Sequence, residues 1–409
     1  MSKADARMLG TKEAAAAIAA TMPVFGTKRV GVQVATGRVL RETVRAERDQ
    51  PPFDRVTMDG IAISFDAIED GLRSFPVQAT LHAGDPAVAL ADNTHCIEVM
   101  TGAVLPRGSD CVVPVERVRI RDTIAELAPG YQPDRRQFIH ARGSDHAKDA
   151  EVLFSGSVIS PMDIAIIASC GLPEITVSEQ PVIRVLSTGS ELLPAGEPIE
   201  PHQVRLSNGP ALVAMLQGQQ FDDCLHEHLV DEPAILQQRI AAHLDAAGVL
   251  ILSGGVSMGK KDFVPQVLLD LGVKLVFHKI GQRPGKPMWY GTGPDGQAVF
   301  ALPGNPVSTL VCCRHYVLPA LLAASGRTFR GMEWAVLTED VTVSAELTVF
   351  LPVRLTSDVD GIVRAQPVAT NTSGDFTSLG GTDGYVELVR EQAFFPRGSP
   401  VPLHRWAAP

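Results

Sequence analysis

Three short segments rich in glycine and proline carry the residues of this chain that could do chemistry. They read SGGVSMGKKD at 253–262, GQRPGKP at 281–287 and LPGNPVS at 302–308. Glycine lets the backbone approach a ligand closely, and backbone N–H groups at a helix start attract anions. The segments also supply four cations, which are Lys260, Lys261, Arg283 and Lys286. This pattern predicts a pocket for a phosphate-bearing or oxyanionic molecule.

Three carboxylates lie near these segments, and two of them have two interpretations. Asp262 follows the first glycine-rich loop and could cap the next helix or hold a divalent cation beside a phosphate. Glu191, in the string STGSEL, could bind a metal or be a first-turn glutamate favoured by the helix dipole. Asp231 stands where the N-cap of a helix is expected. Residue spacing alone leaves both interpretations open.

The other polar residues of the segments also fit ordinary structural roles. Arg283 and Lys286 flank a Pro-Gly turn, which taken alone favours an exposed basic turn. Asn305 is placed as an N-cap and Pro306 as the first helical residue, which puts Ser308 in the first turn. These residues become candidates for binding only because each segment follows a strand of one sheet.

Apolar runs lead into all three segments and predict the strands that position them. The runs are VLIL at 249–252, KLVF at 274–277 and AVFA at 298–301. Further strands are expected at 182–187 and 224–230, with helices between them. Alternating strands and helices predict a doubly wound, largely parallel sheet, whose loops converge at one edge. The stretch 306–324 is expected to be a terminal helix interrupted at Pro319.

The rest of the chain predicts a multidomain α/β plus all-β protein. Residues 11–22 form an expected helix, short β runs with turns fill 51–142, and similar runs after 330 predict a small β-barrel. The expected domains are an N-terminal helix packing on the α/β domain at 1–28, a discontinuous linker domain at 29–48 and 143–180, a β-rich inserted domain at 49–142, the α/β domain at 181–329 and a C-terminal β-barrel at 330–409.

Composition excludes several classes of function. The 409 residues carry a net charge of −10 with 5% aromatic residues, which argues against nucleic-acid binding. Six cysteines without a CxxC pair fit a reduced, cytoplasmic compartment. The string AAAAIAA at 14–20 is too short to span a membrane. His226 and His228 share one strand face, expected to be solvated rather than metal-binding, and no order of residues indicates covalent catalysis.

Seven strings resemble, in order, the molybdopterin molybdenumtransferase family, which includes bacterial MoeA and the gephyrin E domain. They are PPFDRVTMDGIA, TGAVLPRGSDCVV, STGSEL, SNGPALVAML, SGGVSMGKKDF, RPGKP and LPGNPVS, and they span about 50 to 310. The resemblance implies an α/β molybdopterin-binding domain and the last step of molybdenum cofactor biosynthesis. Molybdate is inserted into adenylylated molybdopterin, and AMP is released with the help of Mg²⁺.

The resemblance also implies roles for individual residues. The implied catalytic residues are Asp59, Thr101, Glu191, Asp231 and Asp262. The implied metal ligands are Glu191, Asp231, Asp262 and Asp145. The residues implied to bind the substrates are Ser253, Gly254, Gly255, Ser257, Lys279, Arg283, Lys286, Pro303, Asn305, Pro306 and Ser308, with Arg354 and Ser378 on the molybdate side. The family further implies a homodimer and contacts with other proteins of the same biosynthesis, without nucleic acid or membrane.

The chain departs from the family pattern at three places, of which Ile61 and the C-terminal segment leave room for another function, whereas Arg283 keeps the charge. Ile61 replaces the usual tyrosine of the MDGYA string, Arg283 replaces a lysine, and NTSGDFTSLGGTDGY at 371–385 is a diverged serine segment. One alternative is therefore a non-catalytic molybdopterin-binding or scaffold protein. Another is the enzyme of the preceding adenylylation step, against which the regions 29–180 and 330–409 argue.

Overall fold

The computed structural model describes residues 8–256, 262–329 and 331–407. The chain divides into two compact units. The first contains residues up to Glu42, Ser155–Ser160 and Glu174 onward, and the second contains Thr43–Phe154 and Pro161–Pro173. The glycine-rich segments all belong to the first unit.

A six-stranded sheet forms the centre of the first unit. Its strands, in spatial order, are Cys224–Leu229, Ile183–Thr188, Val249–Ser253, Ala298–Leu302, Trp289–Thr292 and Lys274–His278. The first four are parallel, and the fifth pairs antiparallel with both of its neighbours. The predicted largely parallel sheet is confirmed, with one reversed strand that the sequence pattern did not indicate.

Helices cover both faces of this sheet and bury its central strands. Val249–Ser253 and Ala298–Leu302 are buried at every position, because side chains on both faces meet helices. One face packs against Thr11–Thr21, Asn208–Gln217 and the helical run after Pro306. The other face packs against Pro233–Ala246 and Val264–Asp270. The doubly wound arrangement follows from these two cores.

The last helical run is interrupted by one wider turn. Helix Pro306–Cys312 continues through a π-helical turn at Cys313–Val317 into helix Leu318–Ala324. The expected interruption takes the form of this wider turn, which ends two residues before Pro319. A proline has no N–H with which to close the α-helical bond four residues back. The run is long and apolar enough to cross a membrane, but 67% of its most apolar window is buried inside the protein, as in a core helix.

A closed five-stranded barrel follows in the same unit. Thr348–Ser357 pairs with Val363–Pro367 and with Gly384–Leu388, and Glu333–Leu337 and Pro400–Arg405 complete the circle. The strand Gln282–Arg283 adds to the barrel by pairing in parallel with Thr348–Val349. Three short two-stranded ladders complete the unit. They pair Thr27–Gly31 with Glu174–Ser178, Leu192–Leu193 with Val204–Arg205, and Val341–Thr342 with Phe394–Phe395.

The second unit is rich in strands. Its six-stranded sheet orders Cys111–Pro114, Gly60–Ile63, Cys96–Val99, Ser74–Leu81, Ile124–Leu127 and Val118–Arg121. Two-stranded ladders pair Arg55–Val56 with Ile139–His140 and Val44–Arg45 with Glu151–Leu153. Its helices are Phe65–Glu69 and Pro161–Ser169.

The predicted fold class is confirmed by the doubly wound sheet, the β-rich unit and the C-terminal barrel. The five-part domain division is finer than the two units, and we keep it as a proposal.

Candidate functional site

The glycine-rich segments meet at one cavity of about 980 Å³ in the first unit. It opens where the parallel strands end, which is where ligands bind in open α/β sheets. The candidate residues that line it are Glu191, Asp231, Ser253, Gly254, Gly255, Asp262, Arg283, Lys286, Pro303, Asn305, Pro306 and Ser308. The predicted convergence of the three segments is confirmed by this shared lining.

The first loop requires glycine because its φ angles are positive and because a Cβ would collide with neighbouring atoms. Gly254 has a φ of +101°, and a Cβ there would lie 2.5 Å from the carbonyl oxygen of Thr188. Gly255 has a φ of +63°, and its Cβ would lie 2.8 Å from the side chain of Val264. Ser253, which ends the strand, is buried with 2% exposure. The loop therefore follows the strand end closely and presents backbone to the cavity.

The cationic turn rests on a buried polar network. Gln282 is fully buried, and its Nε2 donates to the carbonyl of Pro284 at 3.0 Å. Its Oε1 accepts from the hydroxyl of Tyr316. Gly285 has a φ of +98°, and a Cβ there would lie 2.5 Å from Sγ of Cys312. This support holds the turn that carries Arg283 and Lys286 at the cavity.

The third segment begins a helix, as predicted. Asn305 is the N-cap and Pro306 the first helical residue, although the Asn305 side chain makes no capping bond. Its Nδ2 instead donates to Oγ of Ser373 at 2.6 Å. Ser308 is buried with 4% exposure in the first turn. The Asn305 side chain therefore connects the α/β domain with a loop of the barrel.

The structural interpretations of the three carboxylates are wrong. Glu232, not Asp231, is the N-cap of Pro233–Ala246, and Phe263, not Asp262, is the N-cap of Val264–Asp270. No helix begins at Glu191, which is followed by the short strand Leu192–Leu193. All three carboxylates line the same cavity, and this shared position supports a binding role.

The three carboxylates around the cavity are suitable ligands for a divalent cation. Carboxylate and hydroxyl oxygens are the ligands that Mg²⁺ prefers. Oγ1 of Thr188, a 4% exposed residue that lines the cavity, is buried without a hydrogen-bond partner among the described residues. No three His, Cys, Asp or Glu side chains of the described chain are already grouped to hold a metal. A cation would therefore need water and substrate oxygens to complete its shell.

Several predicted binding residues do not line the cavity. Lys279 has a φ of +77°, and its backbone N–H donates to Met288. Arg354 is exposed on the barrel strand opposite Gln366. The Ser378 hydroxyl donates to the carbonyl of Asp375 at 2.6 Å. Ser257, Lys260 and Lys261 lie outside the described residues.

The remaining candidates belong to the second unit, where two of them are paired. Oδ1 of Asp59 accepts from the backbone N–H of Thr101 at 2.6 Å and from its hydroxyl at 2.7 Å. These bonds lower the pKa of Asp59, so it is a carboxylate at neutral pH. Asp145 lies 2.9 Å from Nε2 of His140. Ile61, the departure from the family tyrosine, is buried with 1% exposure in an apolar core of this unit.

Two further expectations concern the histidines and cysteines. The prediction that His226 and His228 lie on a solvated strand face is wrong, because both side chains are partly buried. Nε2 of His226 lies 3.0 Å from the Ser187 hydroxyl, and Nε2 of His228 lies 2.7 Å from the Gly189 carbonyl oxygen. Burial lowers the pKa of His226.

Burial also raises the pKa of the Cys313 thiol to about 12, which leaves no thiolate there at neutral pH.

Sequence reasoning missed part of the lining. The additional residues include Thr188, Arg205, Ser207, Asn208, Gln282, Leu347 and the barrel loop from Asn371 to Gly374 with Phe376. Asn208 lies in the quoted string SNGPALVAML, and the polar pair before an apolar helix was the available signal. The barrel loop lies in the segment that was noted only as diverged.

Comparisons with known proteins cover almost the whole chain. Residues 9–171 match the MoeA N-terminal region (domain I and II), 184–323 match a probable molybdopterin binding domain, and 335–406 match the MoeA C-terminal region (domain IV). The molybdopterin molybdenumtransferase of Synechocystis sp. is 37% identical over 400 residues, with 98% of this chain and 100% of the relative covered. That of Synechococcus elongatus is 33% identical over 384 residues, with 91% and 93% covered.

A solved structure has the same architecture. The molybdopterin biosynthesis MoeA protein from Pyrococcus horikoshii superimposes with a TM-score of 0.83 at 26% identity, covering 98% of this chain and 100% of its own. Family models, relatives and the solved structure agree along the chain's length. The chain therefore belongs to the MoeA family of molybdopterin molybdenumtransferases.

Proposed function

We propose that this protein inserts molybdate into adenylylated molybdopterin and releases AMP. The observation that carries the proposal is the single cavity where a glycine loop, a cationic turn, a helix N-terminus and three carboxylates meet. A substrate with a pyrophosphate link needs cations and backbone N–H groups for its phosphates. A net charge of −10 on the chain makes such a local pocket necessary.

The described side chains divide the work between binding and cleavage. Arg283 and Lys286 hold phosphate oxygens, and the guanidinium of Arg283 can bind two oxygens at once. The start of the helix at Pro306 adds the partial positive charge of its dipole. Glu191, Asp231 and Asp262 face the same space and orient the attacking water against the pyrophosphate.

Magnesium is the metal that the carboxylates of this cavity suit best. Glu191, Asp231 and Asp262 would supply oxygen ligands, water and substrate oxygens would complete the shell, and the bound cation would neutralise charge at the phosphates. The lining of the cavity contains both cations and carboxylates. The phosphates of the substrate bind at the cationic turn.

The remaining family expectations are part of the proposal. Asp59, Thr101 and Asp145 act in the same reaction, and Lys279, Arg354 and Ser378 bind substrate groups. The protein works as a cytoplasmic homodimer. The side chain of Ile61 is buried in an apolar core and takes part in its packing.

Genetic complementation separates an enzyme from a binding protein. The chain is expected to restore activity of a molybdenum-dependent enzyme in a bacterial strain lacking its own transferase. The Arg283→Ala, Lys286→Ala double variant, produced at the same level, is expected to fail. Binding of molybdopterin by the purified protein without complementation would refute the enzymatic function and leave the scaffold alternative.

A further inference from the structure

One amide side chain contacts two of the three segments that build the cavity. Asn208 is the first residue of helix Asn208–Gln217 and lines the cavity. Its Nδ2 lies 2.9 Å from Oγ of Ser253, 2.8 Å from the carbonyl oxygen of Gly304 and 3.2 Å from Oγ1 of Thr309. These partners belong to the end of strand Val249–Ser253, to the loop before Pro306 and to the helix that follows it.

The partners determine which end of the amide faces them. The carbonyl of Gly304 can only accept a hydrogen bond, so the NH₂ group must point toward it. The Thr309 hydroxyl uses its proton on the carbonyl of Pro303, and its oxygen is therefore free to accept. Oδ1 of Asn208 is buried and has no hydrogen-bond partner in the described part of the chain. The side chain is thus held through its donor end.

The two loops that Asn208 joins are in close contact. A Cβ built on Gly304 would lie 3.5 Å from Cα of Gly254, and the N–H of Gly254 donates to Leu302 at 3.2 Å. Glycines have no side chains with which to hold each other in place. Beyond this backbone bond, a donor from a third element therefore adds a further fixed connection between the loops.

We propose that Asn208 is a positioning residue that holds the 253–255 and 303–305 loops in the arrangement that receives the phosphate groups of the substrate. The identity of the ligand rests on the proposed function, whereas the role of the amide rests on its three contacts. Asn208 does not need to touch the reacting atoms for this role. It acts through the backbone of the two loops.

Two substitutions separate the donor from the volume of the side chain. Asn208→Asp keeps the shape but places an oxygen against the Gly304 carbonyl, and Asn208→Ala removes the bridge. Gln217→Ala is the matched control, because Gln217 is exposed at the other end of the same helix. Affinity for inorganic pyrophosphate is measured by calorimetry, and amide hydrogen exchange is measured for peptides covering 253–256 and 302–305.

Both Asn208 variants are expected to weaken pyrophosphate binding about tenfold, the effect of a lost buried hydrogen bond and an unpaired carbonyl. Amide hydrogen exchange in both loops should be faster in the two Asn208 variants. It should not change in Gln217→Ala. Wild-type affinity and wild-type exchange in Asn208→Asp would overturn the proposal. If neither variant folds, Asn208→Ser retains one donor and must show intermediate loop protection, whereas wild-type protection would refute the role.

Failure of the proposed function gives a different result. A wild-type protein that binds no pyrophosphate contradicts the ligand class, yet the exchange of the two loops still tests the amide.

Discussion

Asn305 donates from its side-chain amide to the hydroxyl of Ser373 at 2.6 Å, and this bond joins the α/β domain to the barrel at the cavity. The backbone N–H of Val307 also donates to the carbonyl of Ser373, at 3.1 Å. The barrel loop is thereby part of the cavity wall. The serine that the family resemblance suggested, Ser378, lies in the following turn with its hydroxyl directed to Asp375.

Ser373→Ala is expected to weaken pyrophosphate binding roughly fivefold, the effect of about 1 kcal/mol for one lost hydrogen bond. Asn305→Ala should have the same effect, and the double variant should add nothing, because both changes remove one bond. Ser378→Ala serves as the comparison and should change the affinity for pyrophosphate less than twofold, because the group proposed for Ser378 is molybdate. A larger loss of pyrophosphate affinity with Ser378→Ala than with Ser373→Ala would contradict this division between the two serines.

Gly254→Ala is expected to lower the free energy of unfolding by more than the ~1–3 kcal/mol that positive-φ strain alone costs. The extra loss comes from the contact of a Cβ with the Thr188 carbonyl at 2.5 Å. Gly296→Ala isolates the strain, since Gly296 has a φ of +86° and no atoms within 4 Å of a Cβ. Urea unfolding of both variants is the measurement, and equal losses would show that the close approach does not matter.

Replacing the cavity carboxylates should change the magnesium requirement. Glu191→Gln, Asp231→Asn and Asp262→Asn are each expected to raise the magnesium concentration for half-maximal activity at least about tenfold, because each removes a charged oxygen ligand. Asp295→Asn is the control, since Asp295 is exposed in a turn away from this cavity. An unchanged magnesium dependence in all three variants would refute their role as ligands.

Acid should destabilise the protein through His315. Burial lowers its pKa to about 3, and its ring lies near Tyr385, Phe350 and His404. Between about pH 6.5 and that value the unfolded chain binds a proton that the native chain does not. The free energy of unfolding therefore falls as pH falls, by up to about 1.4 kcal/mol per pH unit.

His315→Phe should flatten this pH dependence, as measured by thermal unfolding from pH 7 to pH 4. His202→Gln, at an exposed position, should leave the slope as it is. Parallel slopes for wild type and His315→Phe would assign the acid sensitivity to other groups.

Local patterns predicted the strands and their loops because apolar runs ending in glycine are short-range signals. VLIL, KLVF and AVFA each became a strand that leads into the cavity. Helix starts were less predictable, since Asp231 and Asp262 each precede the observed N-cap by one residue. A one-residue shift at a helix end costs little energy, and sequence gives few signals for it.

Contacts between distant segments could not be read from spacing. Asn208 with Gly304 and Asn305 with Ser373 are 96 and 68 residues apart in the chain. A second connection between the cavity and the barrel is the pairing of Gln282–Arg283 with Thr348–Val349. No periodic pattern indicates such a pairing between a turn and a separate domain.

The most direct test of the account is AMP release by the purified protein. Given adenylylated molybdopterin, molybdate and magnesium, the wild-type chain should release one AMP for each molybdopterin consumed, measured by chromatography. The Asp262→Asn variant should bind the substrate and release AMP far more slowly. Substrate binding by the wild-type protein without any AMP release would contradict the proposed transferase.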